Sequence, residues 1–349
     1  MIHFESDYLE GCHPRLLKAL CDTNELQTVG YGTDEFCDEA REIVQGLCGD
    51  TKVNVHFLVG GTQVNKTLIA AVLRPHQGVL AADCGHIATH ESGAIEATGH
   101  KVLTVPAVDA KLSAEAVDAY CADHYGSATA EHTVQPGMIF CSNPSEWGTV
   151  YSRQELLDLR RVCDKWNLAI YMDGARLGSA LSCEQADYDY AFLAEVCDAF
   201  TIGGTKLGCL FGEVLVIRNE SIHKDFRYIL KQNGGMLAKG RLLGVQFREL
   251  LRDGLYLEIG RHENELAMLV KKDLTDKGYT FLYDSCTNQQ FPIFPNALVE
   301  KLSEKYVFSD NGPTDKTHRC VRICTSWATK REDVEKLLGD IPNYLQSLS

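Results

Sequence analysis

Leu168-Ala-Ile-Tyr-Met-Asp-Gly-Ala-Arg176 is an apolar run that ends in a charged, glycine-bearing turn. Further along, the pattern returns as Ala199-Phe-Thr-Ile-Gly-Gly-Thr-Lys-Leu-Gly208. Each reads as a short buried β-strand whose carboxyl end carries the polar residues. Just before the first, Ser152-Arg-Gln-Glu155 is a capping box, and Leu156, Leu157, Leu159, Arg160 and Cys163 follow at helical spacing. Helix and strand alternating in this way is the unit of a largely parallel sheet covered on both faces.

The alternation continues outward. Residues 53–59, 78–82, 101–105, 136–142 and 214–217 read as further strands, and 62–73 as a helix with Pro75 just past its end. After about Ser221 the character changes. Two long helices are expected over 230–252 and 255–277, then short strands at 291–294 and 320–324 and a closing helix from about Lys330. The expected fold is therefore α/β. A mostly parallel central sheet flanked by helices occupies residues 1–245, and a smaller C-terminal α+β domain occupies 246–349, with a long helix bridging the two.

Composition narrows the function. The chain has 349 residues, with 34 Lys and Arg against 48 Asp and Glu, a net charge of −14. So acidic a protein is a poor counterion for nucleic acid or an anionic membrane. No apolar run reaches the ~18 residues of a spanning helix. The opening Met-Ile-His-Phe-Glu-Ser-Asp lacks the basic flank and apolar stretch of a signal peptide. The fourteen cysteines are scattered without CxxC spacing, as expected of thiols in a reducing compartment. Cys320 and Cys324 are expected to pack within a strand. A cytoplasmic protein is expected.

In parallel sheets, ligands gather outside the carboxyl ends of the strands. After the 53–59 strand comes Gly60-Gly61-Thr62-Gln63, which opens a helix and can cradle a phosphate or serve only as a tight turn. After 78–82 comes Asp83-Cys84-Gly85-His86, where an imidazole can lie flat over a planar cofactor. His86 and His90 have the spacing of a zinc pair, but Glu91 follows the second histidine instead of lying between the two, so no metal is expected. Asp173 needs a positive partner or hydrogen bonds, and Arg176 could supply the former. Lys206 sits among glycines at a strand end. A phosphate cradle, a histidine, Asp-x-Ala-Arg and then a lysine follow one another in the order of a fold-type-I pyridoxal phosphate enzyme. The lysine would form the Schiff base, and the aspartate would keep the pyridine nitrogen protonated.

The sequence resembles the low-specificity L-threonine aldolase group of the β-eliminating lyases. The resemblance is carried by Ser6-Asp7, Val29-Gly30-Tyr31-Gly32, Gly61-Thr62-Gln63, His86, Asn143 with Gly148, Asp173-Gly174-Ala175-Arg176, Thr205-Lys206 and Val321-Arg322. It implies that Lys206, His86 and Asp173 are catalytic. It implies that Gly60, Gly61, Thr62, Asn143, Arg176 and Thr205 join them in binding pyridoxal 5'-phosphate. Ser6, Arg176 and Arg322 would bind the substrate carboxylate. Where members of the group carry a histidine after the asparagine, this chain has Asn143-Pro144-Ser145-Glu146-Trp147-Gly148. Leu237 stands where an arginine can reach a neighbouring subunit's phosphate, and Lys239 or Arg241 could substitute.

The implied reaction is cleavage of a β-hydroxy-α-amino acid to glycine and an aldehyde, with His86, His90 or a water as base. β-Elimination or transamination of another amino acid would use the same parts, and a non-catalytic binding protein of this fold is a third reading. By analogy with the family, a homodimer or homotetramer is expected, with Tyr31 reaching across the interface.

Overall fold

In the computed structural model, which describes residues 1–49 and 52–344, the central sheet has seven strands. In chain order they are β1 (Asn54–Leu58), β2 (Gln77–Ala82), β3 (Val102–Val105), β4 (Gln135–Ser142), β5 (Ala169–Asp173), β6 (Ala199–Gly203) and β7 (Glu213–Ile217). Across the sheet the order is β1-β7-β6-β5-β4-β2-β3. β7 runs antiparallel to both neighbours, and the other pairings are parallel. Side chains alternate between two apolar layers, as the pleat requires. Ile139, Cys141, Ile170 and Met172 join one core, and Met138, Phe140 and Tyr171 the other. Every residue of β6 and β7 is buried, as expected for strands covered on both faces.

The expected capping box forms. Ser152 Oγ accepts from the Glu155 N–H at 3.2 Å, and Glu155 Oε2 accepts from the Ser152 N–H at 2.7 Å. Such a cap contributes about 1 kcal/mol to its helix, Arg153–Trp166. That helix leads into β5 and so aims Asp173 at the sheet's carboxyl edge.

The helix expected over 230–252 is two helices, Phe226–Gln232 and Arg241–Leu251. Gly234 turns the chain between them at φ +74°, a conformation that ends an α-helix. The next helix, Leu255–Asp276, is continuous. Tyr256 and Ile259 near its start join the core of the central sheet, while Leu266, Val270 and Leu274 join a third core. That third core also holds Phe294, Tyr306, Val321 and Leu337 beside the antiparallel strands Ile293–Pro295, Ser309–Pro313 and His318–Cys324. Phe4 belongs to it too, because Ile2–His3 pairs in parallel with Tyr306–Val307. The beginning of the chain is thus held by its last quarter. Cys320 and Cys324 lie buried in their strand.

Candidate active site

Two tight backbone crossings bring the turn after β5 and the turn after β6 together. A Cβ on Gly174 would lie 2.1 Å from the Thr201 carbonyl oxygen, and one on Gly203 would lie 2.3 Å from that of Ala175. Only glycine permits this approach. It puts Asp173 and the β6–β7 hairpin turn, which carries Lys206, on the wall of one cavity.

That inner cavity, of about 310 Å³, is also lined by Gly60, Gly61, Thr62, His86, Arg176 and Thr205. It opens into an outer one of about 680 Å³ bounded by His90, Trp147, Phe291 and Arg322. Five residues border both: Tyr8, His86, Glu146, Arg176 and Lys206.

The helix Gly61–Val72 begins at the inner cavity without a side-chain cap. Its first N–H groups and the positive end of its dipole are therefore free for an anion. Burial pushes the Lys206 amine below the usual lysine range, and the charge of Arg176 adds to this. A lowered amine pKa favours the neutral nucleophile.

Asp173 is held by hydrogen bonds and not by Arg176. Its carboxylate accepts from the Ala175 N–H at 2.9 Å and from Asn65 Nδ2 at 3.2 Å. Asn65 is fixed in turn, because its Oδ1 accepts from the buried Tyr171 hydroxyl at 2.6 Å. Asn65 also donates at 2.6 Å to Glu91, whose same oxygen lies 2.7 Å from His86 Nδ1. A chain of contacts thus ties His86 to Asp173 through Glu91 and Asn65. Burial would lower the His86 pKa, but the hydrogen bond to Glu91 and the charges of Asp173 and Glu91 outweigh it and raise the pKa.

Two sequence expectations need correction. Arg176 pairs with neither Asp173 nor open space. It donates to Asp7 through Nε at 2.5 Å and Nη2 at 3.1 Å. Asn143 is fully buried and does not line either cavity. Its side chain is taken by the Tyr188 hydroxyl at 2.5 Å and the Tyr151 N–H at 3.3 Å, so it shapes the loop from behind. Arg241 donates to the carbonyls of Leu26 and Asn24 in its own chain, at 2.8 and 3.1 Å. Lys239 is exposed.

Ser6 and Arg322 carry unspent donors. Ser6 Oγ and Arg322 Nε are both buried without a partner. The other arms of Arg322 donate to the Glu5 carbonyl at 2.6 Å and to Gln289 Oε1 at 3.3 Å. A carboxylate matches such orphaned donors, of which Arg322 borders the outer cavity while Ser6 is not among the residues lining either one.

Sequence reasoning gave no role to Asn65, Tyr8, Glu91 or Glu213. Glu213 opens a strand that is otherwise Val, Leu, Val and Ile, and a lone acid at the start of a fully buried strand was the available signal. Its Oε1 accepts from the Thr205 hydroxyl at 3.0 Å, and its Oε2 is buried without a partner. Burial pushes its pKa up to about 8, even with Lys206 nearby.

A sheet of this order, an uncapped helix end, and a lysine and an aspartate on one cavity wall define an enzyme of the fold-type-I class, whose cofactor is pyridoxal phosphate. The residues present suit that group: free N–H donors for its phosphate, an amine for its aldehyde and a carboxylate for its ring nitrogen. Comparison with known proteins agrees. The family model for the beta-eliminating lyases matches residues 4–295, and the chain belongs to that family. The low specificity L-threonine aldolase of Pseudomonas aeruginosa is 28% identical over 348 residues, covering 97% of this chain and 96% of the relative. The solved threonine aldolase of Leishmania major is 39% identical at a TM-score of 0.94, covering 97% of this chain and 98% of that one. The aspartate aminotransferase of Thermus thermophilus, at 15% identity and a TM-score of 0.69, shares the fold over 97% of this chain and 90% of its own.

Proposed function

We propose that this chain cleaves the Cα–Cβ bond of a threonine-like β-hydroxy-α-amino acid, giving glycine and an aldehyde. The observation that carries the reading is the meeting of Lys206, His86 and Arg176 at the junction of the two cavities, with Asp173 at the inner end and Arg322 at the outer. The relatives named threonine aldolase, matched over nearly the whole chain, support it.

Pyridoxal phosphate, which Lys206 would hold at rest and yield to the substrate's amine, would supply a ring able to accept the electron pair of the breaking bond. In this reading Gly60, Gly61 and Thr62 hold the phosphate at the helix end. Asp173, oriented by Ala175 and Asn65, holds a proton on the ring nitrogen. Thr205 steadies the lysine turn through Glu213. His86 covers the ring, braced by Glu91. Ser6 Oγ and Arg322 Nε receive the substrate carboxylate. Arg176, held by Asp7, supplies positive charge beside it. Fixing the carboxylate decides which Cα bond stands perpendicular to the ring, and so which bond breaks.

The same reading takes residues 1–245 as the large cofactor-binding domain and 246–349 as the small one. It takes the protein as a cytoplasmic homodimer or homotetramer. Fourteen free thiols suit a reducing compartment. Leu26, Val29 and Tyr31, exposed at 52%, 62% and 48%, suit a surface that a second copy covers.

The test is incubation of the purified protein with a panel of L- and D-β-hydroxy amino acids. Glycine and an aldehyde are expected, and Lys206→Ala should lose both turnover and the cofactor's visible absorbance. Ammonia and an oxo acid as the products would place the chain among eliminating enzymes instead.

A further inference from the structure

We propose that Glu146 is the group that takes the proton from the substrate's β-hydroxyl. The proposal rests on the aldolase reading above and names the base that reading leaves open.

The cleavage needs an acceptor for the β-hydroxyl proton, and a substrate entering through the outer cavity would meet the groups that border both cavities. Of the groups bordering both cavities, Lys206 is assigned the return of a proton to Cα, Arg176 stays protonated and has no lone pair to accept one, and Tyr8 is 54% exposed. His86 and Glu146 remain. His86 Nδ1 is held by the Glu91 carboxylate, which favours the doubly protonated ring, and that ring has no lone pair to offer. His90 borders only the outer cavity.

Glu146 is built as a base. Its Oε1 accepts from the His86 backbone N–H at 2.8 Å and from the Ser142 hydroxyl at 2.6 Å, which fixes the carboxylate on the junction. Burial raises its pKa, opposed by Ser142, its own loop backbone and His86, and reinforced by the charge of Asp173. A carboxylate raised toward neutrality is a stronger base than a solvated one. The other charged groups bordering its cavities are Lys206, Arg176, Arg322, Glu213, Asp310 and His90.

The step balances. The hydroxyl proton passes to Glu146, Cβ leaves as the aldehyde carbon with a new C=O bond, and the Cα–Cβ electron pair passes to the cofactor. Lys206 then returns a proton to Cα, and the two residues re-equilibrate through solvent in the outer cavity. The net transfer is one proton from oxygen to Cα.

Glu146→Gln tests this, because the amide oxygen can still accept from His86 and Ser142 while the basicity is gone. Four measurements are compared with wild type: aldehyde release, cofactor absorbance, exchange of glycine α-hydrogen with D2O, and the infrared carboxyl difference spectrum. Glycine exchange needs no β-hydroxyl proton acceptor. The expected result is a fall of about 10²–10⁴-fold in kcat for cleavage. KM and absorbance should hold, and glycine exchange should stay within a few-fold. The variant should lose the acidic limb of the rate profile and one titrating carboxyl band. Glu146→Asp should recover part of the rate, and should be the variant read if the glutamine form fails to fold. His90→Gln should keep the acidic limb. Equal falls in cleavage and glycine exchange would show a structural role and overturn the proposal, as would cleavage within threefold of wild type. A wild type that releases no aldehyde from any β-hydroxy amino acid fails the functional reading itself, and the assignment of Glu146 falls with it.

Discussion

Asp7 and Arg176, 169 positions apart in sequence, form a two-pronged ion pair at the edge of the active site. Asp7 is fully buried and also accepts from Asn288 at 2.9 Å, so the pair joins the start of the chain, the β5 turn and the C-terminal quarter. Burial would raise the Asp7 pKa, but the charges of Arg176 and Lys206 hold it down at about 2.

Asp7→Asn should therefore be costly. It leaves the Arg176 guanidinium buried without a counter-charge, at about 3–5 kcal/mol of stability. Urea unfolding measures this. The wild-type pair also predicts a pH dependence. A depressed carboxylate stabilises the fold above its unfolded value near 3.8, and that contribution is lost as pH falls through about 2. Acid titration of the variant should lack this loss.

Glu91→Gln should lower the His86 pKa, since the hydrogen bond and charge that raise it are weakened. A nitrogen-detected NMR titration of His86 reads the shift. Activity should fall about 10- to 150-fold, at a charge-assisted hydrogen bond's usual ~1.5–3 kcal/mol, while cofactor absorbance persists. An unmoved His86 titration would show that Glu91 does not govern the ring.

Glu213→Gln should flatten the stability profile between about pH 4.5 and 8. With a pKa of about 8 in the fold against the ordinary 4.5 of an unfolded glutamate, Glu213 holds its proton in the fold and loses it when unfolded across that interval. The unfolded state then binds fewer protons, so stability falls as pH rises from about 4.5 to 8. Thermal melts of both proteins across that range test the sign.

Gly174→Ala and Gly60→Ala should behave oppositely. The first drives a methyl into the Thr201 carbonyl and should cost about 1–3 kcal/mol or more. The second meets nothing within 4 Å and has extended backbone at φ −174°, so stability should stay within about 0.5 kcal/mol. Its methyl would still stand at the cavity wall, and cofactor affinity should drop. Calorimetry and cofactor titration separate the two effects.

The sequence was most readable where chemistry and local geometry coincide. The strand ends, the glycines at 174 and 203 and the capping box at Ser152 are written in neighbouring residues. They suffice to place Asp173, Lys206, His86 and Gly60 to Thr62 around one cavity. Long-range partners were not readable. Nothing near Arg176 indicates Asp7, and nothing near Asn143 says that Tyr188 will take its amide. The break near Gly234 was hidden because apolar residues on either side keep the helical period. In sequence Glu91 only spoils a zinc motif, and its role appears when Asn65 is folded against it.

The pairing of Ile2–His3 with Tyr306–Val307 has a consequence for synthesis. Ile2 and His3 wait for a strand made about three hundred residues later. Ser6, Asp7 and Tyr8 cannot take their places on a ribosome-bound chain until that strand and Arg322 have emerged. The wall of the site that holds Ser6, Asp7 and Tyr8 is therefore completed only after roughly three hundred further residues have been made.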